Sequence, residues 1–528
     1  MKKNNVFKVL SIVILLTMIL SYFIPGTTMS YGSVTKGTIS PIPFVDLFTN
    51  GITSLSAFLT IFIYVLFIGV FYAVLKKTGK YEALVNNTAV CFNKNKSAFV
   101  VLVMFILGLI TMFTGEIYAM LVFVPFLISV IRKLGYDKKA SIVSTVGAIL
   151  LGNAGSLYTV YANQMLSLTI NDNVLTKVVI VLVSIVTLAA FVLLFGNKPE
   201  KTKDLVKSNE KKMLPIYITF VLVFILLVLG FVNWSSYFNF NGFNEFLETL
   251  RKGQIANVSV FNALVGQNAV AFGNFQPYHA AILFAVISFV YVLIYKIKIN
   301  DIFDTVEEGF KNAFPYAVIV VLSEIVLVNA YTSGIFFTLV SSITKKTVSL
   351  FSSSLTSAIA AILLPDYTYG TQFTFSALTG TTATNYQALV QIVFQAVYNM
   401  FLLISPTSIL LLFGLKYTEV TYKEWIKYIY KYFIVLFVTV LVIIDVLING
   451  FQVVGIIALA LLVIALSLIA YMNFVKATTT IAYKQVKKLE KEEVKAPVKK
   501  TVAKKVTTKT TTKKTTTKKS TTKKVNKK

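Results

Sequence analysis

Ser405-Pro406-Thr407-Ser408 interrupts an otherwise apolar run over residues 394–414. Pro406 has no amide hydrogen and its ring clashes with the preceding turn, so carbonyls upstream lose their helical partners. Lipid cannot satisfy those groups, and broken backbone at membrane depth survives only where protein or a water-filled cavity covers it. Secondary carriers use that exception to place carbonyls and half-helix ends around ions. The hydroxyls of Ser405, Thr407 and Ser408, with Asn399 just upstream, add neutral oxygens suited to a hard cation or a polar solute. A structural proline kink in an ordinary span is the alternative reading.

A second interruption falls in residues 140–170, where Gly152-Asn153-Ala154-Gly155-Ser156 is followed by Thr159, Tyr161, Asn163 and Gln164. It supplies flexible backbone and amide or hydroxyl ligands, and Asn153 with Ser405 and Thr407 forms a candidate Na+ set. Upstream of both, residues 97–131 hold two apolar arms of roughly 16 residues around Thr114-Gly115-Glu116, with basic residues on both flanks. Both ends then belong inside, which predicts a re-entrant hairpin with its polar tip at membrane depth. Two short complete spans around an external Glu116 satisfy the same charges. Residues 350–392 repeat the pattern, with a polar break that carries Asp366, Gly370 and Gln372.

Glu324 lies in the apolar run 315–331. A carboxyl there must be paired or protonated, making it a functional candidate or a structural hydrogen-bonding group. Glu116, Glu324 and Asp366 are the proton carriers if coupling is to H+. No Arg or Lys is expected within a span, which weighs against a dianionic substrate. His279, the single histidine, sits at the mouth of a span and reads as structural.

The elements that position these residues are read from composition. The chain has 528 residues, 56% of them hydrophobic, and a mean hydropathy of +0.76, so its apolar runs read as spans of an all-α polytopic membrane protein in the cell membrane. One cysteine, Cys91, excludes an intramolecular disulfide framework. With one histidine as well, an enzyme would need a carboxylate cluster, which the sequence does not display. The net charge is +28, and more than half lies in a Lys/Thr-rich tail over residues 475–528 that cannot bury a core. The tail is expected to be disordered, cytoplasmic and attracted to anionic lipid by up to about 1 kcal/mol per lysine. It lacks the aromatic interleaving of a base-stacking surface, so no specific nucleic acid is expected.

Basic loops place both termini inside, with the first span at residues 6–24. With that span included the count is ten crossings and two hairpins: a first repeat over 1–197, a basic linker over 198–213, a second repeat over 214–474 and the tail. Each repeat of about five spans holds a hairpin and then a broken helix, entering from opposite faces, the pattern of an inverted repeat. Residues 301–314 have apolar side chains three and four apart and are expected to lie flat on the inner surface. Lys345 and Lys346 fall outside in this scheme, without explanation.

Ile404-Ser405-Pro406-Thr407-Ser408, followed by Tyr422-Lys423-Glu424-Trp425-Ile426-Lys427-Tyr428, resembles the end of the YfcC-like carriers. These form part of the anaerobic C4-dicarboxylate carrier group in the ion transporter superfamily. Ser21-Tyr22-Phe23-Ile24-Pro25-Gly26, Phe123-Val124-Pro125, Leu134-Gly135-Tyr136-Asp137 and Thr159-Val160-Tyr161-Ala162-Asn163-Gln164 agree. The resemblance covers roughly residues 6–474 and implies a bacterial secondary carrier with two re-entrant hairpins, two unwound helices and an elevator-like movement. Relatives carry carboxylates, amino acids or their conjugates, driven by Na+ or H+ or by exchange. The chain departs from the family's Asn-Pro pair at Ser156-Leu157-Tyr158, and from its Ser-Gly-Ser-Gly-Gln tip at residues 366–372.

The expectation is a transporter of a small polar organic solute, an amino acid, peptide-like conjugate or carboxylate, acting as a homodimer without a cofactor beyond Na+ as a coupling ion. Thr114, Gly115, Glu116, Ser156, Thr159, Asn163, Gly370, Gln372, Asn399, Thr407 and Ser408 are the substrate candidates. Asn153, Ser405, Pro406, Thr407, Glu324 and Asp366 are the ion-coupling candidates. The competing reading is a membrane-anchored recruitment or biogenesis factor acting through the tail.

Overall fold

The apolar periodicity of the chain becomes a stack of helices in the computed structural model. It describes residues 5–464 and 467, apart from 31–32, 160–164, 170–171, 197–198, 201–204, 256–257, 345–347, 380–386, 449 and 451–454. Asn163, Lys345, Lys346, most of the linker's first half and the tail lie outside the described residues, as does much of the expected last span, of which a short helix covers Gly455–Ile464.

The principal helices are α1 (Val6–Ser21), α2 (Leu59–Lys77), α3 (Lys96–Thr114), α4 (Val124–Lys133), α5 (Ala148–Asn153), α6 (Val174–Ala190), α7 (Leu214–Phe231), α8 (Pro277–Tyr295), α9 (Ile299–Thr332), α10 (Leu350–Leu363), α11 (Tyr367–Thr379), α12 (Gln387–Phe401), α13 (Ile409–Thr418) and α14 (Tyr422–Ile448). Among the described residues seven helices are long and apolar enough to cross a bilayer: α2, α3, the run Val174–Phe195 that begins with α6, α7, α8, α9 and α14. The chain is a mostly helical polytopic membrane protein. It is not wholly α, because β1 (Pro25–Ser30) pairs antiparallel with β2 (Ser33–Ile39), and Gln254–Ile255 pairs with Val258–Ser259. Both ribbons lie in the polar stretches between apolar runs, where extended backbone satisfies its own donors and acceptors.

Two expectations about elements change. Residues 301–314 are not a separate surface helix. They continue through Pro315 into the 34-residue α9, because a proline inside a membrane helix is tolerated where neighbouring helices cover the freed carbonyl. The arms around Thr114-Gly115-Glu116 are unequal, 19 residues in α3 and 10 in α4. The second arm begins late because residues 117–123 form turns and a short 3-10 segment.

Met1–Ile464 form one compact unit. In it α2 packs along α8 and α9, α3 along α5, and α10 along α12, while α5 also meets α12 and α6 meets α14. Close crossings depend on missing side chains. A Cβ on Gly69 would lie 2.5 Å from the Gly309 carbonyl oxygen, and one on Gly152 would lie 2.3 Å from that of Gly108.

Candidate functional site

The two interruptions are built alike. At the first, α3 ends on Gly115, whose φ of +65° is in the left-handed region that favours glycine. A Cβ there would stand 2.7 Å from Tyr158 Cβ and 3.0 Å from Ser156 Oγ, and the Leu157 amide donates to the Met112 carbonyl at 2.8 Å. The end of α3 is thus clasped by the break after α5. At the second, Ser405 Oγ donates to the Ala361 carbonyl and Thr407 Oγ1 to that of Ile362, both at 2.8 Å, with the two hydroxyls 2.9 Å apart. Tyr398 donates to the Leu364 carbonyl at 2.5 Å. The end of α10 is clasped by the break between α12 and α13. The carbonyls freed upstream of Pro406 are also satisfied: Trp425 Nε1 reaches Leu403 O at 2.7 Å, and the Tyr422 hydroxyl reaches Ile404 O. Ser408 Oγ is buried with no partner among the described residues.

A buried amide network joins the two breaks. Asn153 Nδ2 donates to Asn399 Oδ1 at 2.8 Å, and Gln395 Nε2 donates to the carbonyls of Ser156 at 2.6 Å and Asn153 at 3.3 Å. Gln391 Nε2 and Lys177 Nζ donate to the Thr159 hydroxyl at 3.3 and 2.9 Å. Lys177, on α6, is 0% exposed. The expectation that no basic side chain sits within a span is therefore wrong. A lysine next to Asp172 and Asn173 at a span's start looks interfacial in sequence, and only packing buries it. Gly155 allows this, since a Cβ there would meet the Lys177 carbonyl at 2.2 Å.

In front of this network lies a cavity of about 490 Å³. Its wall takes Thr114, Gly115 and Glu116 from the end of α3, Tyr158 and Thr159 from the first break, and Tyr367, Thr368 and Thr371 from α11. Phe231 and residues 273–277 complete it. Of the expected substrate residues it gathers Thr114, Gly115, Glu116 and Thr159. Ser156, Asn153 and Asn399 stand behind the wall in the amide network. Ser405, Thr407 and Ser408 stand at the second clasp, and Gly370 fits against the Tyr398 ring, where a Cβ would lie 3.1 Å from Cε2. Gln372 is half-buried and outside the wall. A second cavity of about 330 Å³, between α2, α4, α9 and α13, is lined by apolar groups, several tyrosines and Lys76 and holds none of the candidates.

The three carboxyl groups, unconnected in sequence, share one electrostatic neighbourhood: Asp366 interacts with both Glu116 and Glu324. Glu324 is 0% exposed, and neither carboxyl oxygen has a hydrogen-bond partner among the described residues. Glu116 Oε1 accepts from the Tyr118 amide at 2.9 Å, and Asp366 Oδ1 from that of Tyr369 at 3.0 Å. Sequence separation conceals this interaction through Asp366, although among the described residues no group of three acids or metal-binding side chains could hold a metal ion. Sequence reasoning also passed over Gln391 and Gln395, which with Asn399 recur every four residues on α12 and so share one face.

A sequence profile described as "C4-dicarboxylate anaerobic carrier" (DcuC) matches residues 8–449. The chain belongs to this family. Members of the family are transporters, so this DcuC-family protein is a transporter and not an enzyme. No curated protein matches it. Among solved structures it is similar to the YdaH transporter of Alcanivorax borkumensis, described as having an unusual topology. That similarity is at 13% identity with a TM-score of 0.38, over 83% of this chain and 97% of that one.

Proposed function

We propose that this DcuC-family chain is an ion-coupled secondary carrier for a small carboxylate-bearing organic solute, which it binds in the 490 Å³ cavity. The observation that carries the reading is the origin of the wall. It combines the end of α3, the first break and the start of α11, so a relative movement of the hairpins and breaks changes the cavity's access. The matching clasps at α3 and α10 support an inverted repeat of two hairpins and two broken helices, moving as an elevator against α2, α8 and α9. The family description adds C4-dicarboxylates to the solutes to be tested. With Lys177 buried behind Thr159, the argument against anionic substrates no longer applies.

Na+ is the coupling ion that the second clasp suits. Ser405 Oγ, Thr407 Oγ1 and the carbonyls of Ala361 and Ile362 bring four oxygens together at the C-terminal end of α10, where the helix dipole is negative. Coupling to H+ instead would pass through Glu324, the carboxyl with two unpartnered oxygens. The test is uptake of labelled carboxylates and amino acids into proteoliposomes under imposed Na+ or pH gradients. Accumulation should follow the Na+ gradient and be lost in Ser405→Ala/Thr407→Ala. Accumulation that follows only the pH gradient and is lost in Glu324→Gln assigns the coupling to Glu324. Flux that ignores both gradients contradicts the carrier reading.

A further inference from the structure

The cavity of about 330 Å³ between α2, α4, α9 and α13 has an apolar interior and a polar mouth. Val65, Ile68 and Ala73 of α2, Leu121, Val124 of α4 and Phe413 of α13 are its buried apolar lining. Its exposed lining residues are Lys76, Asn312 and Tyr417, which bring an ammonium, an amide and a phenol to the mouth. The Tyr417 hydroxyl is already engaged, 3.2 Å from Ser129 Oγ and 3.3 Å from the Pro125 carbonyl. Lys77 and Lys80 are paired, with Asp301 at 3.6 Å and with Glu210, whereas among the described residues no ion pair holds Lys76. Glu419, which interacts with Tyr316 of the wall, is committed to Lys138 at 3.1 Å.

We infer that this cavity is a site for an anionic phospholipid, with part of an acyl chain among the apolar side chains and the phosphate at Lys76 and Asn312. The basic end of α2 marks the inner surface of the membrane, where anionic headgroups lie and basic pockets between spans collect them. A soluble anion would meet Lys76 but leave the apolar interior to water. A zwitterionic lipid fills the interior but brings its own ammonium against Lys76, and the lysines of the tail would repel it. The consequence for transport rests on the carrier reading above. α2 and α9 line one side of the cavity, α4 and α13 the other, and these are the parts that the reading moves past each other. A ligand enclosed by both sides binds the enclosing arrangement best and so favours it. Bound lipid is therefore a brake on the carrier.

The experiment is native mass spectrometry of the full chain in detergent, titrated with phosphatidylglycerol, with phosphatidylethanolamine of the same acyl chains, and with glycerol 3-phosphate, which has the charge without the chains. Phosphatidylglycerol should bind at least about fivefold more tightly than either of the others. Lys76→Ala should remove that preference, and Ala73→Leu, which fills the interior, should weaken both lipids. Lys133, an exposed lysine at the end of α4, is outside the wall, and Lys133→Ala should leave binding unchanged. The tail is present in every variant, so its own attraction for anionic lipid cancels. Because Lys76 and Lys133 are both exposed, their comparison stands even if Ala73→Leu does not fold. Equal losses in Lys76→Ala and Lys133→Ala, or equal binding of phosphatidylglycerol and either other probe by the wild type, overturn the site and leave the carrier reading standing. In proteoliposomes, uptake should slow as the phosphatidylglycerol fraction rises, and slow less in Lys76→Ala. Equal slowing in both overturns the brake, and no uptake by folded protein overturns the carrier reading but not the site.

Discussion

Tyr398, Ser405 and Thr407 donate to carbonyls at the end of α10, groups that a helix cannot satisfy within itself. Tyr398→Phe keeps a ring against Phe394 and Tyr367 and removes only the donor to Leu364 O. The expected cost is about 1–3 kcal/mol, from a buried carbonyl left unpaired, and is read as a lower unfolding midpoint in detergent. An unchanged midpoint would mean that water replaces the hydroxyl. Ser405 and Thr407 of this second clasp were legible from sequence because a proline in the middle of an apolar run has few explanations, whereas Tyr398 was not singled out. Lys177 was not, since one lysine near a span's start has the same pattern whether it snorkels or is buried, and the difference is made by Gly155 on another element. Glu116, Glu324 and Asp366 were each legible as costly carboxyls, but their common neighbourhood depends on three separate segments meeting.

At the scale of elements, the crossing of α2 and α9 is set by Gly69 and Gly309. A Cβ on Gly309 would be 2.6 Å from Val70 Cα, a backbone atom that cannot rotate away. Gly309→Ala is therefore expected to push the helices apart at a cost of about 1–3 kcal/mol and to lower the yield of folded protein. Gly51→Ala is the control. Its Cβ would meet Ile325 Cδ1 at an ordinary 3.6 Å, and alanine in a helix gains up to about 1 kcal/mol over glycine. Equal behaviour of the two variants in a thermal melt would refute the close crossing. The long spans were legible because hydrophobic length alone specifies them. Pro315 misled because a proline ends most soluble helices, whereas α9 continues through it. The ribbon of β1 and β2 was missed because its strands have no apolar face to signal them.

For the whole molecule, alternating access requires one cavity to serve both sides of the membrane in turn. The chain makes this measurable, because Cys91 is its one cysteine and is exposed. Thr368 is an exposed residue of the cavity wall, so Thr368→Cys in a Cys91→Ser background places a single reporter at the site. The decisive measurement is its labelling by a membrane-impermeant maleimide applied to either face of the membrane, with and without an imposed Na+ gradient and transported solute. Labelling is expected from both faces, with the balance shifting as gradient and solute change. Labelling from one face only, unmoved by either, in protein that still accumulates solute, would contradict alternating access through this cavity.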